Sequence, residues 1–100
     1  MPTEYQLREY VVEDGKWDEF IEVFGKVVEA RTAAGFDVVG VWIVPEERRF
    51  IWIVSTDDPG GIEGASQVYY ESPERKALRP EPASFLTEVS TTTMTVLPGF

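Results

Sequence analysis

The chain contains no cysteine and no histidine in its 100 residues. Without thiols there is no disulfide framework and no thiolate metal site. Without imidazole there is no Ser-His-Asp triad, no histidine general base and no histidine ligand. Basic side chains are scarce too: 9 Lys and Arg face 18 Asp and Glu, a formal net charge of −9. A surface of that sign repels a phosphate backbone, so nucleic acid is not an expected partner. No run approaches the roughly 20 apolar residues of a membrane helix, and no basic-then-apolar signal segment opens the chain. No membrane partner is expected, and a cytoplasmic location fits. Gly60-Gly61 lacks the Lys and the spacing of a phosphate-cradling loop, and Asp57-Asp58 lacks further ordered oxygen ligands. The expected cofactor complement is none, and so is the expected metal.

What remains is 43% hydrophobic and 13% aromatic, an ordinary globular composition with no repeat and no linker. Residues 1–100 read as one domain, which would bury roughly 65% of the unfolded chain's surface. Tyr5 to Val12 is rich in Tyr and Val and reads as a strand, with Tyr5, Leu7, Glu9 and Val11 on one face and Gln6, Arg8, Tyr10 and Val12 on the other. Asp14 precedes a helix over Lys16 to Ala34, whose apolar stripe is Trp17, Phe20, Ile21, Phe24, Val27 and Val28. Gly25 inside it costs about 1 kcal/mol relative to Ala. Gly35 stands where a left-handed cap would end the helix.

Phe36 to Val44 and Arg49 to Thr56 follow as an antiparallel hairpin across the polar 45–48 connection. Strict alternation places Trp42 with Phe36, Val38, Gly40 and Val44 on one face, and Phe50 with Trp52 and Val54 on one face of the next strand. Asp57-Asp58-Pro59 reads as the capped entry to a Gly-rich helix over Gly60 to Glu71. Ser72-Pro73 starts a short helix running to Arg79, stopped by Pro80 and Pro82. Glu88 to Leu97 is β-branched and reads as the last strand.

The order β-α-β-β-α-β is the ferredoxin-like α+β arrangement: a four-stranded antiparallel sheet with helices on one face. Yet the central hairpin is apolar on both faces. The uncovered face measures on the order of 400 Å², the size of the largest apolar patch a soluble monomer ordinarily shows. Little chain remains to cover it, so the expected partner is a second copy, sheet against sheet in a homodimer. Extra apolar residues filling a tight monomer core are the competing account.

The opening Leu7, Arg8, Tyr10, Gly15, Lys16 and Phe20, the strand motif Gly40-Val41-Trp42, the aromatic strand Phe50 to Val54 and the segment Tyr70-Glu71-Ser72-Pro73-Glu74-Arg75 together resemble the NIPSNAP family. Ser55-Thr56-Asp57-Asp58-Pro59 and the Gly-rich helix after it depart from the family pattern. The resemblance implies a ferredoxin-like protomer that pairs into a dimeric α/β barrel. Relatives on that fold include cofactor-free oxygenases, isomerases, haem enzymes and plain binding proteins, so the resemblance leaves function open.

The cleft between sheet and helices is the default ligand site. Arg8 and Tyr10 share a strand face and would anchor a carboxylate or enolate, unless Arg8 is simply paired with Glu9 or Glu88. Trp42 and Trp52 would stack an aromatic ligand, or else pack in the core or the interface. One of Tyr69 and Tyr70 faces inward. Arg75 belongs, with Lys76 and Arg79, to the lone basic cluster, read either as an anion site or as a solvated helix face. The ligand-binding candidates are therefore Arg8, Tyr10, Trp42, Trp52, Tyr69 and Arg75, and no catalytic residue is assigned. Three functions remain open. The first is binding of a small apolar or aromatic metabolite. The second is a cofactor-independent monooxygenase or isomerase of the antibiotic-biosynthesis-monooxygenase type. The third is a scaffolding dimer with no small-molecule site.

Overall fold

In the computed structural model, which describes residues 3–100, strand β1 (Glu4–Val12) alternates buried Gln6, Arg8, Tyr10 and Val12 with half-buried neighbours, as its sequence dictates. Helix α1 (Trp17–Ala33) follows, then the hairpin β2 (Asp37–Val44) and β3 (Arg49–Thr56). Helix α2 (Gly61–Glu71), the short helix α3 (Pro73–Lys76) and strand β4 (Leu86–Met94) complete the chain. The strands pair antiparallel in the order β2-β3-β1-β4 with the helices packed on one face, a ferredoxin-like α+β fold. No helix among the described residues is long and apolar enough to cross a membrane.

The helix-covered face carries an aromatic core. Phe24 meets Phe50 at 4.5 Å and Trp52 at 4.8 Å between ring centroids, and Phe20 meets Phe50 edge to face at 5.1 Å. Rings at these separations and angles contribute beyond their buried area. The buried face of α1 runs Phe20, Val23, Val27, Ala30 and Arg31, so the stripe is rotated from the one expected: Ile21 is exposed, and a cation replaces it inside.

Several boundaries differ from the sequence reading for physical reasons. No side chain caps α1, so Asp14 does not serve there. Helix α2 begins after, not at, the Asp57-Asp58 pair: the Asp58 carboxylate accepts from Gly60 N at 2.7 Å, and the free amide of Ile62 is met by Glu4 Oε1 of β1 at 2.8 Å. A carboxylate from a distant strand thus caps the helix and ties it to the sheet. Ser72 caps α3 as expected, its Oγ accepting from Arg75 N, but that helix ends at Lys76, short of Arg79. Strand β4 starts at Leu86, two residues early, and stops at Met94 rather than Leu97. Gly35 does take the left-handed conformation that ends α1, with φ +96.

The largest departure lies in β2. Register slips between Val38 and Gly40, so Val38 faces Val54 while Val41, not Gly40, faces Trp52. One extra residue inverts every later side chain of the strand. Trp42 therefore pairs with Ile51 on the uncovered face and is half exposed. Its indole lies over Gly40, where a Cβ would stand 2.6 Å from the ring. Leu7, Ile51, Ile53, Tyr5 and Met94 share that face, each partly exposed.

Candidate functional site

The polar side of β1 is fixed on its own strand. Arg8 Nε donates to Tyr10 Oη and Nη1 to Gln6 Oε1, both at 2.7 Å. The pairing of Arg8 with Glu9 or Glu88 does not occur, because both acids point to the opposite face of the sheet. Glu9 accepts instead from Arg49 Nη2 at 3.1 Å. Burial works against the charge on Arg8, but Tyr10 and Tyr70 outweigh it and hold its pKa above the ordinary value.

Arg31, in the last turn of α1, is 1% exposed. Its guanidinium carbon lies 4.0 Å from the Tyr69 ring centroid, 4.8 Å from that of Phe36 and 5.6 Å from those of Trp52 and Tyr70. Nη2 makes one long hydrogen bond, 3.4 Å, to Tyr70 Oη. Nε and Nη1 have no acceptor, and neither does Trp52 Nε1 in the same layer. Every orphaned side-chain atom buried among the described residues is thus a donor. Burial, and next the charge of Arg8, push the Arg31 pKa below its ordinary value.

Magnitudes show that this charge is not balanced from within. Aromatic faces return about 0.5–2 kcal/mol to a cation, and a helix C-terminus about 0.3–1 kcal/mol. Burying an ion costs several kcal/mol, and each unmet donor adds about 1–3 kcal/mol. No carboxylate among the described residues lies within ion-pair distance of Arg8 or Arg31.

Both guanidinia border a cavity of about 170 Å³ between α1, α2 and the β1–β4 side of the sheet. Its apolar wall is Phe20, Phe24 and Val27 from α1 with Leu86 and Val89 from β4. Tyr10 and the buried Tyr69 continue the lining, while Tyr70, 47% exposed, forms the rim. Arg75 stands beside both rings, 5.9 Å from Tyr69 and 5.6 Å from Tyr70, and is neutralised by Glu81, whose Oε2 accepts from Nη1 at 3.0 Å and whose Oε1 accepts from Nη2. No Asp or Glu lines the cavity. A larger, shallower depression of about 470 Å³ carries Arg49, Glu9 and Glu88, but its one cation is already paired with Glu9 and Glu47.

Of the residues singled out in the sequence, Arg8, Tyr10, Tyr69 and Arg75 meet around this cavity. Trp52 is fully buried beneath the two arginines, 5.9 Å from Arg8 and 5.6 Å from Arg31, and does not line the wall. Trp42 is set apart on the other face by the β2 bulge and does not stack with Trp52. Arg79 folds back on its own chain, donating to the carbonyls of Lys76 and Leu78. The residue that sequence reading missed is Arg31. It sits four residues after Val27 and seven after Phe24, a cation on the apolar stripe, and that spacing was the available signal.

No family model matches the chain, and no curated protein matches it. Solved structures do. An uncharacterized NIPSNAP domain protein from Burkholderia xenovorans superposes with TM-score 0.82 at 15% identity, covering 97% of each chain. The fold is that of NIPSNAP family proteins. One from Agrobacterium tumefaciens gives TM-score 0.84 at 10% identity over 97% of this chain and 95% of its own. A putative antibiotic biosynthesis monooxygenase from Nitrosomonas europaea gives TM-score 0.72 at 14% identity over 97% and 92%. At such identities the NIPSNAP likeness read from the sequence is established for the architecture, and function rests on the site.

Proposed function

We propose that this NIPSNAP-like chain is a homodimeric binding protein that takes a small apolar or aromatic metabolite into the cavity between sheet and helices. The carrying observation is the cavity itself: apolar rings on its walls, and beside them buried guanidinium donors that no group among the described residues satisfies. Such a combination of apolar lining and few convergent polar groups is how small-molecule sites are built. An open cleft also argues against a scaffolding role in which the protein's own side chains fill the space.

A cofactor-independent monooxygenase or isomerase is the second reading, favoured by the likeness to a protein described as a putative antibiotic biosynthesis monooxygenase. Proton abstraction needs a base, and the cavity lining supplies neither carboxylate nor imidazole. Burial raises the Tyr69 hydroxyl further from ionisation. Binding is therefore the better supported reading.

Dimerisation is supported by the uncovered face, where Leu7, Ile51, Ile53 and Trp42 stand together and the nearby Glu9 and Arg49 neutralise one another. A self-complementary patch with an apolar centre suits a two-fold contact. Native mass spectrometry of protein purified from its own host tests both parts. The expected spectrum is a species of twice 11.3 kDa carrying a bound small molecule. A bare monomer would overturn the dimer and the carried ligand together.

A further inference from the structure

The cavity's surroundings specify the charge of its occupant, given that the cavity is a binding site at all. The three orphaned buried side-chain atoms among the described residues are all hydrogen-bond donors, two of them on one guanidinium. A chain of net charge −9 has gathered Arg8 and Arg31 around this space with no acid to neutralise them. The two open edges of a guanidinium, Nε beside Nη2 and Nη1 beside Nη2, each match two coplanar oxygens. On Arg31, Nε and Nη1 lack an acceptor, while Nη2 is held only by its long bond to Tyr70. We propose that the ligand is a small carboxylic acid with an apolar or aromatic body, its carboxylate held by Arg31 with Arg8 adjacent and its body against Phe20, Phe24 and Val27.

Size limits the class further. About 170 Å³ is smaller than the cavities that hold drug-sized ligands. An acid on the order of ten non-hydrogen atoms fits, of the size of benzoate or hexanoate. A phosphate would satisfy the donors and leave the apolar wall bare. The exposed Tyr70 and the paired Arg75 form the entrance, where Arg75 has Glu81 as its partner and is not required for charge balance inside.

The test compares matched pairs on the intact protein by calorimetry and by ligand-induced thermal shift at fixed ionic strength: benzoate with benzamide, and hexanoate with hexanamide, with inorganic phosphate as a third arm. The acids are expected to bind on the order of 10- to 100-fold more tightly than their amides, the ratio that charge-assisted hydrogen bonds supply. Arg31→Met should remain folded and bring acid and amide to nearly equal affinity. Should Arg31→Met fail to fold, the acid-to-amide ratio in the unaltered protein decides alone. Equal binding of acid and amide overturns the carboxylate assignment and leaves the apolar cleft standing. Equal protection by phosphate overturns it as well, since the apolar body would then have no role. If no acid binds, the assignment falls, while a neutral molecule in the native mass spectrum would still uphold the cleft.

Discussion

The guanidinium carbon of Arg31 lies 4.0 Å from the centroid of the Tyr69 ring, so that the last turn of α1 and the end of α2 are joined through a cation on an aromatic face. Neither residue is accessible: Arg31 is 1% and Tyr69 2% exposed. The contact fixes the rear wall of the cavity. The burial of Tyr69 also changes the titration of its hydroxyl.

Burial raises the Tyr69 pKa, against the opposing pull of Arg31 and Arg75. The folded protein therefore keeps a proton that the unfolded chain releases above about pH 10. Stability from this group is complete below that pH and declines as pH climbs through it toward the folded value. Tyr69→Phe keeps the ring and removes the proton. Urea unfolding midpoints measured from neutral to strongly alkaline pH should fall less steeply for Tyr69→Phe than for the unaltered chain. Parallel curves would refute the assignment. Tyr69→Leu, which removes the ring face from Arg31 as well, should destabilise by about 2–4 kcal/mol at neutral pH.

At the cavity mouth the sign is reversed. The hydrogen bond from Arg75 holds Glu81 below the usual carboxylate range. Its contribution is present above the unfolded value, near about pH 4.3, and is lost as pH falls through the lower folded value. Glu81 is half exposed, so solvent screening limits the contribution to under about 1 kcal/mol. Glu81→Gln should lower stability slightly at neutral pH and flatten the acid limb of the unfolding profile. A mutant whose acid limb matches that of the parent would show the pair to be inconsequential.

Most of the architecture was legible because it rests on local rules. The 3.6-residue stripe from Phe20 to Val27, Gly35 at the end of α1 and Ser72-Pro73 at the start of α3 each act through backbone geometry within a few residues. What failed to read depended on partners far along the chain. Glu4 caps α2 across 58 residues of sequence, so Asp57-Asp58 looked like the cap. The slip at Val38–Gly40 was announced only by a glycine inside a strand, and without it Trp42 and Trp52 seemed to share a face. Arg31 was overlooked because a cation in a helix's last turn is ordinarily solvated and complements the dipole. The open sheet face, by contrast, followed from alternation alone, since Leu7, Ile51 and Ile53 have no helix to meet.

That face offers a separation of folding from association. Leu7 lies mid-strand in β1, opposite Ile53 and Thr92, and is only half buried in the protomer. Leu7→Glu places a charge where a facing sheet would exclude water, at little cost to a lone protomer, so sedimentation should report 11.3 kDa with an unchanged circular dichroism spectrum. Val68→Glu, at an apolar and more exposed position on α2, should leave the mass at twice that value. Gly40→Ala is the finer probe. Its Cβ would meet the Trp42 ring at 2.6 Å, and the half-exposed indole can swing away at a stability cost within about 0.5 kcal/mol. An aromatic displaced from an interface weakens it on the order of tenfold or more. Gly40→Ala should therefore dissociate at higher concentration than the parent while melting at nearly the same temperature. If both Leu7→Glu and Gly40→Ala stay dimeric, the copies meet through some other surface.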